Sequence, residues 1–165
     1  MTEKPLNVRP AQRGDEKNLF DFLCVAHKEN GVYSMNEKKV CEMINAGAQD
    51  RETIIGIIDA PDGTIAASFG GYFAQWWYTD EWHIEECWDF VHPDHRRSSY
   101  AKDILQYSKW LSDQMKMPIH NGIMTASRFE AKTRLFRRQM PQVGAAFAYN
   151  LQYAKGPIAL EVSCV

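Results

Sequence analysis

Residues 90–105 read FVHPDHRRSSYAKDIL, and the reading of this stretch decides the fold. An apolar strand end runs into a proline turn, then two arginines, two serines and the start of a helical repeat. From Ser98 onward, Ala101, Ile104, Leu105, Ser108, Leu111 and Met115 fall on one helical face, and Pro118 stops the run. A strand that turns tightly into a helix aims backbone N–H groups at one point, where the helix dipole adds partial positive charge. Phosphate is the anion best matched to such a nest. Arg96 and Arg97 add guanidinium forks, Ser98 and Ser99 add hydroxyls, and the small side chains at 98, 99 and 101 let an anion approach the backbone. The alternative is an ordinary strand-to-helix joint, in which Ser, Asp and Arg act as caps and solvated charges. A Walker loop and a dinucleotide-binding glycine fingerprint are both absent from the sequence.

Upstream, HIEECWDFV (residues 83–91) is the strand that feeds this turn. TIIGIID (53–59) and TIAASFGGYF (64–73), joined by Pro61-Asp62-Gly63, form an antiparallel hairpin whose first strand is apolar throughout and so covered on both faces. Leu6 to Arg9 is a short strand closed by Pro10. Asp15 caps a helix carrying Leu19, Leu23 and Ala26, and Ser34-x-x-Glu37 is a capping box for a second helix with Val40, Met43 and Ile44 inside. Downstream, GIMTAS (122–127) is a strand, residues 130–139 a short basic helix, and AAFAYNLQY and IALEVSCV two closing strands. The resulting class is α/β (α+β): a central mixed, mostly antiparallel sheet of about seven strands with helices on both faces. There is no internal repeat and no linker, so one domain over residues 1–165 is expected.

A net charge of −2 argues against nucleic acid or a membrane surface as a bulk electrostatic partner. Four cysteines without close pairing, three of them in apolar patterns, read as reduced core residues of a cytoplasmic protein. No apolar run approaches the roughly 18 residues of a membrane helix. His92-x-x-His95 with Asp89 and Asp94 surrounds a proline turn and has no further ligand group, so no metal is expected.

VHPDHRRSSYA resembles the acyl-CoA-binding motif of the GNAT superfamily of N-acetyltransferases, V-x-P-x-x-R-G-x-G-x-G/A. Val91, Pro93, Arg96 and Ala101 match it in spacing, and the order of strands and helices is similar along nearly the whole chain. The resemblance implies acetyl-CoA as acyl donor. It gives Phe90 and Val91 backbone contacts to pantetheine, and Arg96, Arg97, Ser98, Ser99, Tyr100 and Ala101 the pyrophosphate. Arg97 and Ser99 replace the usual glycines, which is costly if either position needs positive φ.

The resemblance also implies direct attack by a primary amine on the thioester, with a carboxylate base on the strand before the motif. Glu85 and Glu86 are the candidates. Simple alternation places His83, Glu85, Cys87 and Asp89 on one face, and Ile84, Glu86, Trp88 and Phe90 on the other. Glu86 then stands in an apolar stripe, where its pKa is the one to be raised. The family tyrosine that protonates the thiolate is replaced by Phe136, leaving Tyr100, Tyr107, Tyr149 or water for that step. Trp76, Trp77, Tyr78 and Trp82 lie near the family's acceptor region and suit either a cationic substrate or an interface. The implied acceptor is a small-molecule or peptide amine, and the implied assembly a homodimer. The alternatives are a CoA-binding domain with little turnover, and an interaction module using the basic segment KTRLFRRQ, which equally suits the phosphates of CoA.

Overall fold

The computed structural model describes residues 2–49, 53–125, 128–145, 148, 150 and 153–157. These divide into two compact units, residues 1–22 with 38–122, and residues 23–37 with 123–165. In the first, β1 (Arg9–Pro10), β2 (Thr53–Asp59), β3 (Ile65–Gln75), β4 (Trp82–Val91) and β5 (Ile119–His120) form one sheet in that order. Neighbours are antiparallel except β4 and β5, which are parallel.

Local chemistry accounts for most of this sheet. The β2–β3 turn closes with Gly63 N–H to Ala60 O at 3.0 Å, and Gly63 takes φ +83°. Asp62 accepts from the Thr64 N–H and hydroxyl, which fixes the turn ahead of the bulge between Ile58 and Asp59. β2 is buried along most of its length, as its unbroken apolar run requires. The first strand begins three residues later than Leu6 to Arg9 would suggest and pairs at Arg9 and Pro10, where Pro10 sits on the sheet edge and needs no donor.

Helix α3 (Tyr100–Met115) covers one face of the sheet with Ile104, Tyr107 and Leu111 against Phe69 and Ile84. Tyr107, which the apolar pattern omits, is 2 % exposed and stands edge-on to Phe69, whereas Ala101 and Met115 lie outward. The helix ends on Lys116 in left-handed conformation, before Pro118. On the other face, Phe22 of α1 (Glu16–Asn30) meets Phe90 edge-on at 5.5 Å, and Gly47 of α2 (Glu37–Ala48) rests on Ile55. Helix α2 starts at Glu37 itself, so Ser34 lies before the helix and no capping box forms. Asp15 precedes α1, but its carboxylate turns back to the Gln12 N–H and to Arg9, whose guanidinium also grips Asp59.

In the second unit, α4 (Phe129–Gln139) buries Phe136, with Lys132 5.7 Å from its ring. Residues 122–125 are not a strand; β5 falls earlier, directly after Pro118. Residues 126 and 127 and most of the two closing strands lie outside the described residues, within which the sheet has five strands. Cys41 and Cys87 are exposed rather than core residues. No helix among the described residues is long and apolar enough to cross a membrane.

Candidate active site

Strand β4 carries the site, and a bulge sets which side chains point together. The β3–β4 register pairs Gly70 with Trp88 but Gly71 with Glu86, so Cys87 is the extra residue. Simple alternation therefore fails at this point. His83, Glu85, Trp88 and Phe90 share the face turned to α1 and α2, while Ile84, Glu86, Asp89 and Val91 share the face turned to α3. Trp88 lies over Gly70, where a Cβ would come within 2.3 Å of its ring, and its Nε1–H donates to Ser68 Oγ at 3.1 Å. Desolvation first, then the Glu86 and Glu85 carboxylates, push the Cys87 thiol up to about 12, although the residue reaches the surface.

The two glutamates have separate surroundings. The β4–β5 ladder consists of Ile84–Ile119 and Glu85–His120. Immediately beyond it, the Glu86 carboxylate accepts the Gly122 N–H at 2.9 Å. Glu86 thus replaces a strand-to-strand bond with a side-chain bond at the point where the ladder ends, and it does not stand in an apolar stripe with Trp88 and Phe90. Glu85 is half-buried among polar rings. Its Oε2 is 3.3 Å from His83 Nε2 and 3.4 Å from His120 Nδ1. Trp76 stacks on His83 at 5.5 Å, and Tyr72 stands across from Glu85 in the β3–β4 register. Burial, with Cys87 and Glu85 nearby, raises the Tyr72 phenol above its usual range, so it is protonated at neutral pH.

From Glu86 onward, β4 has no strand partner on its β5 side among the described residues. His92 N–H bonds Ala66 O at 2.8 Å, and antiparallel alternation then turns the backbone of Phe90 to β3 and that of Val91 to the open edge. Of the two expected pantetheine contacts, Val91 is presented and Phe90 is used inside the sheet.

The turn that follows is a 3₁₀ turn, Pro93–His95, leading to α3. Arg96 lies over the Phe90 ring at 5.6 Å, half-buried, which holds its guanidinium beside the strand end. Arg97 is exposed. Neither Arg97 nor Ser99 has positive φ; Ser99 has φ −78°. The backbone thus follows this turn without the glycines of the motif and without strain at either position. The serine hydroxyls are already engaged: Ser98 Oγ donates to His95 O and accepts from the Tyr100 N–H, and Ser99 Oγ donates to Asp103. Neither serine hydroxyl proton is therefore left for an anion. Tyr107 is core, and Tyr149 is outside the described residues, so Tyr100 is the described phenol nearest the turn.

Sequence reasoning missed His120 and Tyr72, which reach Glu85 through strand pairing, and it assigned no role to His83. The aromatic segment divides. Trp76 closes over the histidines, while Trp77, 92 % exposed, and Tyr78 form a separate edge-on pair in the loop between β3 and β4.

No protein-family model matches the sequence. No curated protein matches it. Many of its structural neighbours are acetyltransferases. A ribosomal-protein-alanine N-acetyltransferase from Brucella melitensis biovar Abortus is 12% identical, covering 88% of this chain and 99% of that one at TM-score 0.60. An aminoglycoside 6′-N-acetyltransferase from Acinetobacter haemolyticus is 15% identical over 87% and 96%, at TM-score 0.62. A GNAT family acetyltransferase from Staphylococcus aureus is 14% identical over 87% and 96%, at TM-score 0.55.

Proposed function

We propose that this chain, whose fold is that of the GNAT acetyltransferases, transfers an acetyl group from acetyl-CoA to a primary amine, as one domain over residues 1–165. The observation that carries the reading is the junction at Val91. There a strand edge with no partner strand among the described residues, a half-buried arginine and an unstrained turn into a helix start meet below a strand that bears Glu85.

In this reading the pyrophosphate takes the α3 start and Arg96, with Arg97 reaching from outside. The pantetheine amides pair with the Val91 edge as an added strand would. Glu85 is the base and Glu86 the prop that holds the ladder's end. Glu85 takes a proton from the ammonium form of the acceptor, and the free amine attacks the thioester carbonyl carbon. The tetrahedral intermediate gives up its second N–H proton to water as it collapses, the C–S bond breaks, and the neutral amide leaves with the acetyl group. The departing thiolate takes a proton from Tyr72, Tyr100 or water, since Phe136 has none to give. A small-molecule or peptide amine is the acceptor class, in keeping with the aminoglycoside and ribosomal-protein enzymes among the neighbours.

Acetyl-CoA raises the melting temperature by mass action if it binds the folded chain. The absence of any shift at millimolar acetyl-CoA would overturn the reading. Thiol release against a panel of amines then decides turnover. A shift without thiol release on any amine supports a second reading, a CoA-binding domain without catalysis, which Phe136 motivates.

A further inference from the structure

Strand pairing brings His83, Glu85 and His120 to one point, and among the described residues they are the group of three metal-ligating side chains that converges. Their ligand atoms lie within 4.8 Å of one another. We propose that this cluster binds a transition-metal dication, zinc foremost, through His83 Nε2, Glu85 Oε2 and His120 Nδ1.

The spacing is the first argument. Zinc bonds to imidazole nitrogen and carboxylate oxygen of 2.0–2.1 Å put neighbouring corners of a tetrahedron about 3.3 Å apart. Glu85 Oε2 stands 3.3 Å from His83 Nε2 and 3.4 Å from His120 Nδ1. The second argument is an orphan atom. His120 Nδ1 is fully buried and has no hydrogen-bond partner, despite its distance to Glu85. A shared proton would draw donor and acceptor into line; a metal holds its ligands at the corners of a polyhedron, where no such line exists. A buried nitrogen left without a partner is costly, and a metal supplies one.

The fold also holds the ligands in place. His83 is 5 % exposed and is stacked under Trp76 with the planes 19° apart. His83 and Glu85 share a strand face, and the register places His120 beside Glu85. Three protein ligands leave a fourth position for water or another exchangeable group. Two imidazoles select zinc, nickel or copper over magnesium and calcium, which prefer all-oxygen sites.

The test is zinc titration of the chelator-dialysed full chain in competition with a chromophoric chelator, without acetyl-CoA, so that its outcome is independent of the transferase reading. One zinc per chain is expected, and cobalt in its place gives the visible absorption of a low-coordinate site. His120→Ala weakens zinc binding about tenfold or more, while a His92→Ala, His95→Ala double variant leaves it unchanged; magnesium does not compete. The metal-free melting temperature of H120A verifies its fold, and His120→Gln replaces it if the alanine variant is unfolded. Failure to take zinc from the chelator, or equal zinc affinity in the H120 variant, overturns the proposal.

Discussion

Glu85 and His120 face each other across one of the two residue pairs that join β4 to β5, with carboxylate and imidazole 3.4 Å apart. The next residue, Glu86, ties the Gly122 N–H where that ladder ends. Neighbouring glutamates thus have different work: one faces a polar pocket, and the other closes a strand junction.

Glu85→Gln therefore lowers kcat by about 10²–10⁴-fold, the range of a lost general base, with the affinity for acetyl-CoA unchanged. Glu86→Gln keeps an oxygen for Gly122 and has a much smaller effect. Steady-state thiol release, with acetyl-CoA affinity measured separately, distinguishes the two; equal losses would remove Glu85 from the role of base.

Arg96→Ala weakens acetyl-CoA binding about 10–100-fold, the loss of a hydrogen bond to a charged group. Arg97→Ala costs less because that side chain is exposed. Arg97→Gly, which restores the family residue, brings no gain in stability, because position 97 does not have positive φ. Calorimetric titration of the three variants gives the order.

The elements from β2 to α3 were legible because their signals are local: an apolar run, a Pro-Asp-Gly turn, and a helical repeat ending at proline. The turn through Arg96 into α3 was legible for the same reason. The site's side-chain grouping was not. HIEECWDF alternates in composition, and nothing in it marks Cys87 as the residue that bulges; the register with Gly70 and Gly71 decides that. His120 stands far from Glu85 in the chain and reaches it through parallel pairing, which leaves no spacing to read. GIMTAS has strand-forming residues, yet the pairing begins earlier, where Pro118 O accepts the Ile84 N–H.

Gly70→Ala destabilises the fold by about 1–3 kcal/mol, the usual cost of overpacking, because the new methyl group meets the Trp88 ring. Urea unfolding measures the cost. The same variant with Trp88→Leu recovers part of it, since the obstruction is then gone.

Acid weakens the Arg9 knot. Hydrogen bonds from Arg9 hold the Asp15 carboxyl below the usual carboxylate range. Its contribution is complete above the unfolded pKa of about 3.9 and is lost as pH falls through the lower folded value. Asp15→Ala removes that contribution, flattening the acid limb of the stability–pH curve and costing about 1–3 kcal/mol at neutral pH.

Zinc and acetyl transfer exclude each other if both readings of Glu85 hold, since a metal occupies the lone pair that the base needs. Added zinc then slows thiol release, a chelator restores it, and H120A is less sensitive. Transfer that is fastest with zinc bound would assign Glu85 to the metal alone.

The most direct test of the central claim is a crystal structure with acetyl-CoA at millimolar concentration. The account predicts the pyrophosphate at the α3 start beside Arg96, pantetheine along the Val91 edge, and the thioester toward Glu85. Cofactor density elsewhere, or none in the groove beside Val91, would contradict it.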